Sequence, residues 1–263
     1  MTHKKVKYNS GNMPFSVYSS SVNTGYAAAL SDDFGIVPTA TKMYVAQSKG
    51  SSFSTTRGTC EIYSASFPSL ASQDTSTYGS IYITGSVMGL YGIAVDSVNS
   101  KLYWVNDVEV GNYQIWTSSL DGSGAGVIIH SASAVDDRFL GLTVLPRHNR
   151  IIYGVDTRQA SLDGSKSGRI IGHQPGLVPS AGAFDYSYTM DRIYIASSNQ
   201  IYTCSLDGAN LGALGYDDGI NNYNNGACVD DVNQKFYWSI NGAANGNIFS
   251  CSLISPNDGG TFG

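Results

Sequence analysis

The sequence predicts an all-β chain, a six-bladed β-propeller with four antiparallel strands per blade, and three observations carry that prediction. Short apolar or aromatic runs alternate with turn residues; the stretch from Gly92 to Ile129 alone holds four of them. The same order of signals returns along the chain. The glycines that open each first run, Gly35, Gly92, Gly141, Gly182 and Gly226, are spaced by 57, 49, 41 and 44 residues. A period of about 40–50 residues with four short strands per period is that of propeller blades. It is too long for leucine-rich repeats, and the helical periodicity of TPR or HEAT repeats is absent.

Within the reference stretch the first strand is the apolar run Ile93 to Val95, followed by a turn at Asp96 to Ser100. The aromatic strand Lys101 to Val105 comes second. A polar loop leads to the alternating strand Gln114 to Leu120, whose Asp121-Gly122 signals a hairpin into Val127 to Ile129. The second strand of each unit carries a tyrosine: Tyr44, Tyr103, Tyr153, Tyr194 and Tyr237. The third strand recurs at Ile62-Tyr63-Ser64-Ala65, Ile115-Trp116-Thr117-Ser118, Ile201-Tyr202-Thr203-Cys204 and Ile248-Phe249-Ser250-Cys251. Leu-Asp-Gly follows it at residues 120–122, 162–164 and 206–208. Asp caps its own backbone there, and Gly accepts the positive φ of a tight turn.

The approximate blades are residues 1–34, 35–91, 92–140, 141–181, 182–225 and 226–263, all in one domain. In the first, Phe15 to Ser19 reads as a third strand and Tyr26 to Leu30 as a fourth. The last has strands at Ala227–Asp230, Lys235–Ser239 and Asn247–Leu253. Strands from both termini are expected to close the ring, which removes an exposed sheet edge.

The pieces GIAVDSVNSKLYW, GACVDDVNQKFYW and GAFDYSYTMDRIY, with their following Ser-Leu or Ser-Leu-Asp-Gly, resemble the LDL-receptor class B repeats. These are called YWTD repeats, and the resemblance implies a six-bladed β-propeller over roughly residues 35–253. The tetrapeptide itself is degraded, reading Tyr103-Trp104-Val105-Asn106, Tyr153-Gly154-Val155-Asp156, Tyr194-Ile195-Ala196-Ser197 and Tyr237-Trp238-Ser239-Ile240. No cysteine framework for flanking EGF modules is present, so receptor biology does not carry over.

Composition excludes several function classes. Charged residues are 13% of the chain and the formal net charge is −5, with no basic face of the kind nucleic acid requires. Lys4, Lys5 and Lys7 read as blunting a strand edge. No apolar run reaches the ~18 residues of a membrane span. The amino terminus lacks the apolar core of a secretory signal, and no Asn is followed two positions on by Ser or Thr. Together these favour a cytoplasmic or leaderless-secreted protein. Cys60, Cys204, Cys228 and Cys251 form no C-x-x-C pair and read as free, mostly buried thiols. His3, His130, His148 and His173 show no metal spacing, and no nucleophile elbow, Walker loop or dinucleotide fingerprint is present.

One recurrence points to a site. The segments entering the first strands carry acids and aromatics: Asp32, Asp33 and Phe34; Asp136, Asp137 and Phe139; Asp217, Asp218 and Tyr223; and Tyr91 without acids. In a propeller such links gather at the mouth of the central channel. Carboxylates there would take hydroxyls and aromatic faces would stack on sugar rings. The plainer reading makes the same acids turn caps and the aromatics wedges between blades. A second polar surface is read in the loops Asn106 to Asn112, Ser197 to Asn199 and Asn241 to Asn247. The expected function is a non-enzymatic, lectin-like recognition module whose partner is a glycan or a protein surface, with no cofactor. The alternatives are a protein-interaction scaffold and a channel-mouth hydrolase or lyase. In the enzyme the paired acids would hold a metal, and calcium is the ion an oxygen-only set takes.

Overall fold

The computed structural model describes residues 25–30, 42–48, 60–66, 79–83, 89–109, 112–130, 141–154, 157–171, 183–196, 201–214, 223–241 and 247–253. Among these residues the chain is built from strands and tight turns, with one 3₁₀ turn at Pro146–His148. Among the described residues no helix is long and apolar enough to cross a membrane.

Five sheets form in chain order. The first contains β1 (Gly25–Leu30), β2 (Lys42–Ser48), β3 (Cys60–Ser66) and β4 (Gly79–Ile83). The second contains β5 (Gly89–Asp96), β6 (Lys101–Glu109), β7 (Asn112–Ser119) and β8 (Gly126–His130). The third contains β9 (Leu142–Leu145), β10 (Arg150–Tyr153), β11 (Arg158–Ser161) and β12 (Ser167–Arg169). The fourth contains β13 (Ala183–Ser187), β14 (Arg192–Ala196), β15 (Ile201–Cys204) and β16 (Gly212–Ala213). The fifth has three strands, β17 (Tyr223–Asp230), β18 (Lys235–Asn241) and β19 (Asn247–Ser252). Every sheet follows sequence order.

The tyrosine strands are the second strands, as expected, and they carry the core. Tyr44, Leu102, Trp104, Ile152, Tyr194, Phe236 and Trp238 are almost fully buried. One cluster packs Tyr44 and Ile62 of the first sheet against Leu90, Ile93, Leu102 and Trp104 of the second. Tyr82 meets Trp104 at 5.0 Å between ring centroids, and Trp104 and Trp116 stack at 6.2 Å. A second cluster joins Tyr194, Ala196, Ile201 and Leu214 to Phe236, Trp238 and Leu253. The chain divides into two compact units. One comprises Pro14–Ile152 and Ala160–Lys166, the other Met1–Met13, Tyr153–Gln159 and Ser167–Gly263. Each of these clusters lies within one unit.

The structure corrects several expectations. The strand Gly25–Leu30 is not the fourth of a preceding blade; it is the first strand of its sheet, paired with Lys42–Ser48. Hydrogen-bond pairing, not the nearest glycine, decides which strand leads. The described residues therefore give five sheets where six blades were expected. Residues 1–24, which include the strand expected at Phe15 to Ser19, lie outside the described residues, as do 254–263.

Gly141 directly precedes β9 as expected, but Gly92 and Gly226 do not open their strands. In β5 the register shifts between Leu90 and Ile93, and in β17 between Asn224 and Gly226. Gly92 and Gly226 thus mark irregularities inside longer strands, where a missing side chain eases the local kink. The loop expected over Asn106 to Asn112 shrinks likewise, because β6 runs to Glu109 and β7 begins at Asn112. Three described cysteines are free, but Cys228 is exposed rather than buried.

Candidate functional site

Antiparallel pairing gives each sheet two edges of opposite character. At one, the first and second strands join, as do the third and fourth; this is the turn edge. At the other lie the start of the first strand, the end of the second, the start of the third and the end of the fourth; this is the loop edge.

Described carboxylates at the turn edge cap the turns themselves. Asp96 accepts from the Asn99 backbone N–H at 2.8 Å and from its Nδ2 at 2.7 Å. Asp230 repeats this with Asn233 at 2.9 and 2.7 Å. In the fourth sheet Ser187 Oγ takes the place of the Asp and accepts from the Met190 N–H at 3.0 Å. The last residue of each such turn is left-handed: Ser100, Asn149, Asp191 and Gln234 have φ between 51° and 54°. In the Leu-Asp-Gly turns, Asp121, Asp163 and Asp207 accept from the N–H two residues on, at 2.9, 2.9 and 3.0 Å. Asp231 reaches from the fifth sheet to the fourth. It accepts from the Ser187 hydroxyl, from the Tyr188 N–H at 2.9 Å and from the Thr189 N–H at 3.4 Å. Hydrogen bonds to Ser165, its hydroxyl first, hold the Asp163 carboxyl below its ordinary range. Burial is the largest single influence on Asp230 and raises it, but hydrogen bonds from Asn233 and from the Val232 N–H, with nearby Lys235, together outweigh it and the net direction is down.

The loop edge is different. In the second sheet, pairing sets Gly89 opposite Asp107, Leu90 opposite Asn106, Asn106 opposite Gln114, Asp107 opposite Tyr113 and Gln114 opposite His130. Asn106, Asp107 and Tyr113 are buried. Trp116 Nε1 donates to Gln114 Oε1 at 2.9 Å. Trp104 and Asn106 are two residues apart and so share one face of β6. Trp104 Nε1 and Asn106 Oδ1 are both buried without a hydrogen-bond partner. In the first sheet Glu61, also buried, pairs with Gln47 and Ile83 at the corresponding edge. In the fifth, Tyr223 is opposite Asn241 and Asn247 opposite Ile240. By register this edge gathers amides, aromatics and carboxylates, whereas the other edge gathers caps.

The expected site residues divide accordingly. Asp32, Asp33 and Phe34 fall in sequence between β1 and β2. Their own positions lie outside the described residues, as do Asp136, Asp137, Phe139, Asp217 and Asp218. The connection containing Asp136, Asp137 and Phe139 departs from the loop edge after His130. The one containing Asp217 and Asp218 enters the fifth sheet at its loop edge. Tyr91 and Tyr223 belong to strands β5 and β17, because those strands begin earlier than the glycine spacing indicated. Among the described residues no three His, Cys, Asp or Glu side chains cluster as metal ligands. Sequence reasoning passed over Asn106 and Trp104 as a pair. The available signal was a large polar residue two positions beyond a Trp on a strand already assigned to the core.

No protein-family model matches the chain, and no curated protein matches it in sequence. Solved structures do. One is a nidogen/laminin complex, 18% identical with a TM-score of 0.61, covering 77% of this chain and 74% of that one. TolB from Acinetobacter baumannii is 12% identical with a TM-score of 0.58, covering 88% of this chain and 52% of that one. A GH74 enzyme from Niastella koreensis is 13% identical with a TM-score of 0.58, covering 88% of this chain and 36% of that one. The chain thus spans about half of the TolB structure and about a third of the GH74 enzyme. These likenesses show the fold, an all-β propeller, and the fold alone.

Proposed function

We propose that the chain is a non-enzymatic recognition module that binds carbohydrate through its loop edge, on a YWTD-type propeller completed by strands from the two termini. The three-stranded fifth sheet supports that closure, since its β19 has no fourth strand beside it among the described residues. The observation that carries the functional reading is the pair on β6. A buried donor, Trp104 Nε1, and a buried acceptor, Asn106 Oδ1, share a face and have no protein partner. Buried polar groups without partners point to an occupant. A hydroxyl accepts from the first and donates to the second, and sugars carry hydroxyls.

A glycan array followed by calorimetry on the hits tests this. Absence of binding at millimolar sugar ends it. Asn106→Leu sharpens the test. Removing a buried acceptor without a partner leaves the melting temperature equal or higher, yet it weakens sugar binding about tenfold or more if the amide contacts ligand. Unchanged affinity in that variant removes Asn106 from the site.

The second reading, a protein surface as partner, is favoured by the likeness to a structure solved as a protein–protein complex. A pull-down that recovers one protein regardless of glycan would support it.

A further inference from the structure

The third sheet differs from its neighbours in charge. Residues 141–171 hold five of the chain's fifteen Lys and Arg and two of its twenty Asp and Glu, in a protein whose net charge is −5; Arg147, Arg150 and Lys166 lie at the turn edge, whereas Arg158 begins β11 and Arg169 ends β12, at the loop edge. Its first turn has lost the acidic cap: Leu145-Pro146 stands where the second and fifth sheets have Asp96 and Asp230. Pro146 instead starts a 3₁₀ turn, closed by the Asn149 N–H donating to the Pro146 carbonyl at 3.0 Å. That turn exposes Arg147, His148 and Asn149 and delivers Arg150 to the start of β10. The second turn lies on the same edge. Ser161 N–H donates to the Lys166 carbonyl at 2.9 Å, and Ser165 and Lys166 are exposed. The one described acid on this sheet, Asp163, is folded into its own turn through Ser165 and also faces Lys166. The strand order β12-β11-β10-β9 makes the two turns neighbours, spanning about three strand spacings of ~4.8 Å.

We propose that the turn edge of the third sheet is a second binding surface, for an acidic polysaccharide. Arg147 and Lys166 meet its carboxylate or sulfate groups, while Asn149 and Ser165 hydrogen-bond the hydroxyls between them. Guanidinium groups take planar oxyanions two hydrogen bonds at a time. The span suits several linked sugars rather than one. A protein partner fits less well, because protein interfaces draw their energy from large side chains seated in pockets. The large apolar side chains exposed among the described residues are Val98 and Val232, and neither is on this edge. This inference rests on the carbohydrate reading, but at a different surface.

The test uses the full chain in calorimetry at low salt with four probes: a heparin hexasaccharide, a hyaluronan octasaccharide, neutral maltohexaose and poly-glutamate. Both acidic sugars are expected to bind, more weakly as salt rises, and maltohexaose is not expected to compete. Arg147→Gln and Lys166→Gln should each weaken acidic-sugar binding about threefold to fivefold, the scale of an exposed charge contact. The R147E/K166E pair should abolish binding without moving the melting temperature. If that pair fails to fold, the two glutamine variants and the salt dependence of the unaltered chain decide the matter. Acidic-sugar binding indifferent to these changes overturns the proposal, as does absence of such binding or equal binding of poly-glutamate. If neutral glycans bind and respond to Asn106→Leu while no acidic sugar responds to the Arg147 and Lys166 variants, the loop-edge reading stands and this one falls.

Discussion

A methyl group placed on Gly164 would lie 2.1 Å from the carbonyl oxygen of Ile128 in β8. On Gly122 it would lie 2.1 Å from that of Ile81 in β4, and on Gly208 2.0 Å from that of Ile170 just past β12. In each case the third-to-fourth-strand turn of one sheet sits against the outer strand of the sheet before it. Each of these glycines also has a φ between 78° and 86°. The Leu-Asp-Gly repeat was legible in the sequence as a hairpin signal. Its second role, packing sheet on sheet, was not, because a close approach involves a partner far along the chain. Gly124 separates the two effects, with a φ of 65° and open space, nothing within 4 Å, where a methyl would stand. Gly124→Ala should cost about 1 kcal/mol from the left-handed backbone alone. Gly164→Ala adds a collision with backbone and should cost at least about 2–3 kcal/mol, read as a lower urea midpoint. Equal losses in the two variants would show that the contact with Ile128 is unimportant.

At the scale of the element, the strand-joining turns tie neighbouring sheets as well as strands. Asp185 of β13 accepts from its own neighbour Tyr186 and, at 2.8 Å, from the Val229 N–H of β17. Asp231 answers from the other side, holding the Ser187 hydroxyl and the Tyr188 and Thr189 N–H groups. Ser187 is therefore both cap and tether. Its oxygen accepts from Met190, and its proton goes to Asp231. A double-mutant cycle on Ser187→Ala and Asp231→Ala should return a coupling of about 1.5–3 kcal/mol, the range for a hydrogen bond to a charged group. Strictly additive losses would mean that the two side chains act independently. The strands themselves were readable from aromatic and β-branched runs. Their starts were not, since β5 and β17 continue past bulges that a glycine count takes for boundaries. That is why Tyr91 and Tyr223, assigned to links, belong to strands.

For the whole molecule, the arrangement of ionisable groups sets a pH window. The propeller class was legible because the repeat imposes it. The candidate site was less so, because which edge a residue occupies depends on pairing. Carboxylate caps populate the turn edges of both units, and the fold holds two of them, Asp163 and Asp230, below the ordinary range. A depressed carboxyl contributes stability above its unfolded pKa of about 3.9 and loses it as pH falls through the lower folded value. On the alkaline side the sign reverses. Burial pushes the Cys204 thiol up to about 12, with nearby Arg192 opposing it and Asp207 adding to it. The unfolded thiol ionises near about 8.5, so the stability tied to the neutral form is whole below that pH and declines above it. The decline is on the order of 1 kcal/mol per pH unit until the folded thiol itself ionises. Urea midpoints should therefore be flat from about pH 5 to 8 and fall on both sides. Asp230→Asn should make the acid limb shallower, with Asp163 still contributing, and Cys204→Ala the alkaline one, with the Cys228 and Cys251 thiols, which desolvation also raises, still contributing, each without altering the other. A profile in which Cys204→Ala leaves the alkaline limb unchanged, or in which thiolate absorbance of the folded chain rises near about pH 8.5, would assign that loss of stability to other groups.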